Sequence, residues 1–98
     1  MTERRTSQRA RLALPCTLRR QTSSPIWAET IDVGEGGMSV RASRPLREEE
    51  TVEFEIAGAG VTGRARVIRH PSPRVYGLRF EGLNGGARDR LRELVGVA

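Results

Sequence analysis

The chain has 98 residues, enough for one compact core and too few for two. Apolar residues make up 37% and charged ones 30%, which excludes a disordered chain, and with only 4% aromatics the core must be aliphatic. Net charge is +5, and residues 1–24 carry all of it, because Arg4, Arg5, Arg9, Arg11, Arg19 and Arg20 face Glu3 alone while the remainder holds eleven arginines and eleven acids.

The stretch from Met1 to Arg11 is polar where a signal peptide needs an apolar run, and no later segment approaches the roughly 18 apolar residues of a membrane span. A cytoplasmic protein with no membrane partner is expected. Residues 1–11 read as an arginine-rich arm, with residues 1–8 flexible until a ligand arrives, and the concentrated charge asks for an anionic partner. All 17 basic residues are arginine, which suits bidentate recognition of phosphate or guanine and which a GC-rich genome produces equally well.

Residues 12–98 read as a single domain. Apolar residues alternate at Leu12, Leu14, Cys16 and Leu18, and a period of two returns at Trp27, Glu29, Ile31 and Val33 and at Met38, Val40 and Ala42. Val52, Phe54 and Ile56 alternate with Glu53 and Glu55, and Val61 to Ile68 and Val75 to Phe80 add two more segments rich in branched residues. Turn chemistry separates them at Ser23-Ser24-Pro25, Gly34-Glu35-Gly36-Gly37, Arg44-Pro45, Gly58-Ala59-Gly60 and Pro71-Ser72-Pro73. Six short antiparallel strands are predicted, and closure into a barrel would remove their exposed edges. After Asn84-Gly85-Gly86 the period changes: Ala87, Leu91, Leu94 and Val95 form the apolar stripe of a helix that caps the barrel, with Arg88, Asp89, Arg90, Arg92 and Glu93 in solvent. The fold class is therefore all-β, a six-stranded antiparallel β-barrel with a C-terminal α-helix.

Catalysis finds no support. One His and one Cys cannot form a metal cluster, Cys16 falls in a core series, and His70 before Pro71 reads as a loop residue. Three consecutive carboxylates, Glu48-Glu49-Glu50, cannot converge on a metal and read as a hydrated run. The Gly34–Gly37 turn follows a strand without opening a helix and has no lysine, so it is no phosphate loop. No catalytic residue, metal or cofactor is expected.

Two features stand out together: Arg5 and Arg9, separated by three residues in the arm, and Asp32-Val33-Gly34-Glu35-Gly36-Gly37 at a strand junction. In these the chain resembles the PilZ domain family, which is recognised by an RxxxR arm before the first strand and a [D/N]xSxxG turn between the second and third. Arg4 extends the arm, and Gly36-Gly37-Met38-Ser39-Val40, Val75-Tyr76-Gly77-Leu78-Arg79-Phe80 and the final helix agree, so the resemblance covers roughly residues 3 to 95. One position departs, with Gly34 standing where the family has serine.

The resemblance implies a receptor for cyclic di-GMP that passes the signal to a downstream protein, with Arg4, Arg5, Arg9, Asp32, Gly34 and Gly37 as its ligand-binding residues. The chemistry suits the ligand: guanidinium groups fork onto phosphate or the guanine O6/N7 edge and stack on purines. An ionised Asp32 could accept from guanine N–H groups, and Gly37, without a Cβ, could turn tightly or lie close to the ligand. Arg5 and Arg9 as a merely solvated arm, and Asp32 as a cap of its own turn, are the plainer readings. A degenerate adaptor that has lost the nucleotide is the first alternative. A nucleic-acid-binding barrel is disfavoured because Trp27, Phe54, Tyr76 and Phe80 are mostly expected inside.

Overall fold

A computed structural model describes residues 9–21 and 24–97. Among the described residues seven strands, β1 (Arg9–Ala10), β2 (Pro15–Arg19), β3 (Ile26–Gly34), β4 (Gly37–Ala42), β5 (Thr51–Ile56), β6 (Val61–Ser72) and β7 (Val75–Leu83), precede one α-helix, α1 (Ala87–Val97). All pairings are antiparallel, in the order β1-β3-β2-β5-β6-β7-β4, and β3 also pairs with β4. That last pairing closes β2 to β7 into a six-stranded barrel and removes its free edges. The two-residue β1 lies on the same edge of β3 as β2, farther along it.

The barrel interior is aliphatic, as 4% aromatic content requires. Leu18, Ile26, Met38, Val40, Ile56, Val61 and Val67 are fully buried, with Phe54 stacked on Phe80 at 5.0 Å between ring centres. Tyr76 is buried beneath His70, 4.5 Å away, and its hydroxyl accepts a hydrogen bond from Leu46 N at 3.0 Å. Cys16 is a core thiol, and burial pushes its pKa up to about 12. Helix α1 turns Ala87, Leu91 and Val95 inward and packs against β6, β3 and β1. Among the described residues no helix is long and apolar enough to cross a membrane.

Two expectations are corrected. The alternation of Leu12, Leu14, Cys16 and Leu18 predicts one strand, yet the ladder is broken between Ala10 and Pro15. The cause is Thr30. Its hydroxyl, fully buried, accepts from Leu14 N at 2.9 Å and donates to the Leu12 carbonyl, while Thr30 N donates to Leu14 O. A side chain thus takes a place that backbone groups would hold in a regular ladder.

The second correction concerns Trp27 and Glu29, whose spacing puts them on one face with Val33. The register shifts between Thr30 and Asp32, so that Ile26, Thr30 and Val33 are buried while Trp27 and Glu29 point out, Trp27 at 68% exposure. A bulge adds one residue and inverts the parity beyond it. Burial therefore counts against nucleic acid at Phe54 and Tyr76 but not at Trp27.

Because the Thr30 hydroxyl serves two backbone groups, Thr30→Val should cost about 1–3 kcal/mol by stranding Leu14 N–H and Leu12 C=O. Urea unfolding measures this, and an unchanged midpoint would mean that the hydroxyl staples nothing.

Candidate functional site

The Thr30 staple and the bulge together build the region around Asp32. Beyond the bulge, Val33 turns into the core and pairs with Ala10, also buried, which fixes β1 against the end of β3. Arg9 then opposes Gly34 and projects outward. Asp32, opposite Ser39 of β4, is on the outside as well. The two side chains meet: Arg9 Nε lies 2.9 Å and Nη2 2.5 Å from Asp32 Oδ1. Residues 23 apart in sequence and belonging to the two separate motifs are thereby joined.

The pair is open to water, with 42% of the Arg9 side chain and 28% of the Asp32 side chain exposed. Exposed ion pairs contribute only about 0–1 kcal/mol, so an incoming anion could take Arg9 from Asp32 at small cost. Each partner is then matched to one part of a nucleotide: the guanidinium to a phosphate or a base edge, the carboxylate to base N–H donors.

The remaining motif positions divide. Gly34 is buried in β3, and the described glycines with left-handed φ are Gly60 and Gly86, so the Gly34 backbone is one that serine could adopt. Gly37 has a packing reason of its own: a Cβ there would lie 2.3 Å from the Leu78 carbonyl oxygen of β7, and the adjoining Gly36 carbonyl accepts from Phe80 N at 2.9 Å. At the turn tip Glu35 lies 3.4 Å from Arg92 of α1, linking the motif to the helix. Arg4 and Arg5 lie outside the described residues.

Two concavities, about 330 and about 950 Å³, lie on the β2–β5–β6 side, lined among others by Thr17, Arg19, Glu53 and Arg64, and neither includes Arg9 or Asp32. The walls of the larger one mix arginines with Glu48, Glu49, Glu50 and Glu53, which oppose an anion there. Among the described residues no three His, Cys, Asp or Glu side chains converge as metal ligands.

The PilZ domain family model matches residues 3–96. The chain belongs to the PilZ domain family. PilZ domains are receptor and adaptor domains, and both motifs of this one fall inside the match. A solved structure of the Bacillus subtilis inhibitor of motility, MotI/DgrA, is similar with a TM-score of 0.80 at 16% identity. The match covers 97% of this chain and 51% of that one, so this PilZ domain spans about half the length of its structural neighbour, and at this identity the likeness shows the fold. No curated protein matches the sequence.

The geometry separates two roles that the motif merges. Gly37→Ala should destabilise this PilZ domain by about 1–3 kcal/mol through the clash with β7. Arg9→Ala, losing an exposed pair, should change stability by less than about 1 kcal/mol. Thermal melts of both variants check this, and a Gly37→Ala protein as stable as the parent would refute the packing account.

Proposed function

We propose that this PilZ domain is a cyclic di-GMP receptor that is not an enzyme and that signals to a partner protein from the cytoplasm. The observation that carries the reading is the Arg9–Asp32 contact, which brings the second arginine of the arm and the acid of the turn onto one surface patch. The nucleotide offers phosphates to Arg9 and guanine donors to Asp32, so it replaces an ion pair of small worth with two charge-assisted contacts. Arg4 and Arg5, which precede β1 in the chain, add two guanidinium groups for the same ligand, and binding changes the conformation that the partner meets. The contact between Glu35 and Arg92 offers a route by which the turn reports to α1, and from there to a partner.

Gly34 favours a second reading, an adaptor that no longer binds the nucleotide, because the family's hydroxyl is missing there. Calorimetric titration of the full chain with cyclic di-GMP decides between them. We expect saturable binding, weakened about tenfold or more by Arg5→Ala or Arg9→Ala and also weakened by Asp32→Ala. No heat at high micromolar nucleotide would favour the adaptor, and binding of single-stranded oligonucleotides with a steep salt slope would overturn both in favour of nucleic acid.

Gly34→Ser restores the hydroxyl on a compatible backbone. A neutral hydrogen bond contributes about 0.5–1.5 kcal/mol, so affinity should rise by up to about tenfold at unchanged melting temperature. Unchanged affinity on an unchanged fold would remove position 34 from the site.

A further inference from the structure

Trp27 is the chain's one tryptophan, and 68% of it is exposed while Phe54 and Tyr76 are buried. A lone exposed apolar side chain is ordinary on a protein surface, so the surroundings of Trp27 carry the argument. The register sets two outward rows side by side on β3, β2, β5 and β6. One runs through Trp27, Thr17, Glu55 and Thr62, and the other through Arg19, Glu53 and Arg64. At the β6 end of the first row the concavity of about 330 Å³ opens, with Phe54, Thr62, Gly63, Leu83 and Asn84 in its lining. Its rim is held in place, because the Asn84 side-chain amide donates to the Thr62 hydroxyl at 2.8 Å. That volume falls within the roughly 300–1,000 Å³ of pockets that accept ring systems. Trp27 does not reach it in its own chain, since three strand spacings of about 4.8 Å put β3 roughly 14 Å from β6. Protrusion and hollow lie at opposite ends of one row.

The second row has the same character in charge. Arg19 and Arg64 flank Glu53 across the ladder, yet among the described residues none of the three forms an ion pair, and neither does Glu55, whereas Arg9, Arg20, Arg66 and Arg92 all do. Free charges of both signs side by side suit neither a polyanion nor a polycation. They suit a surface that carries the same two signs. A two-fold axis running along the strands, midway between β2 and β5, exchanges β2 with β5 and β3 with β6 and keeps each row in line. Arg19 then faces Glu53 of the second copy, Thr17 faces its Glu55, and Trp27 faces its Thr62, where the concavity opens.

We infer that a second copy of this chain docks on the β3–β2–β5–β6 face, each Trp27 entering the other copy's concavity and each Arg19 pairing with the other copy's Glu53. The axis passes between protrusion and hollow, so both are used up within the pair and the assembly closes at two. Tryptophan and arginine are the side chains that most often anchor such contacts. Asp32 lies five residues farther along β3, beyond the bulge, so the Arg9–Asp32 patch stays open and pairing is independent of nucleotide binding.

The test is sedimentation of the full chain from micromolar to millimolar concentration, with the fluorescence of its single tryptophan and a melt of each variant. The parent should reach twice the chain mass, its emission shifting to the blue as it does so. Trp27→Ala should weaken pairing at least about thirtyfold. Arg19→Glu and Glu53→Arg should each be monomeric alone, and an equal mixture of the two should pair, because each then offers the charge the other lacks. Should Trp27→Ala melt lower than the parent, the mixture decides alone. A parent that stays monomeric at millimolar concentration, parent-like pairing in Trp27→Ala, or a mixture that fails to pair overturns the inference.

Discussion

The hydroxyl of Thr30 is the interaction on which the outer site depends. A buried hydroxyl must find partners, and here it finds Leu14 N–H and Leu12 C=O, which are thereby taken out of any regular ladder. The chain before β2 is forced off the edge of β3 and returns to it only at Arg9 and Ala10. The bulge that follows Thr30 turns Asp32 outward at the point where Arg9 arrives. Ala10 and Val33, both buried, lock that alignment with apolar contact, while the charged partners face water. Rigid apolar residues thus set the position of mobile charged ones, a division of labour common to binding sites built on strands.

Much of the fold was legible because closed barrels write alternation into sequence. Val52, Phe54 and Ile56 against Glu53 and Glu55, or Ala87, Leu91 and Val95 in the tail, appear in the structure on the faces their periods assign. The failures lie where a single residue changes the phase. Nothing in Ile26 to Gly34 announces a bulge, so the alternation points Trp27 inward where the structure turns it outward, and the Leu12 to Leu18 alternation conceals a break made by a threonine far along the chain.

The candidate site was legible in part, since Arg9 and Asp32 are marked by motif spacing, and their meeting is a matter of register. Gly37 carries the same lesson, because the Leu78 carbonyl that excludes a Cβ there becomes its neighbour only when β4 and β7 are aligned.

Cys16 has a consequence of another kind. Held inside the barrel with its pKa raised to about 12, the thiol keeps on the order of one part in 10⁵ as thiolate at neutral pH. Since the thiolate is the reactive species, the closed barrel is inert toward thiol reagents and oxidants. Labelling then proceeds only through molecules whose β2 has come away from its neighbours, and the single cysteine becomes a built-in clock for the opening of the barrel.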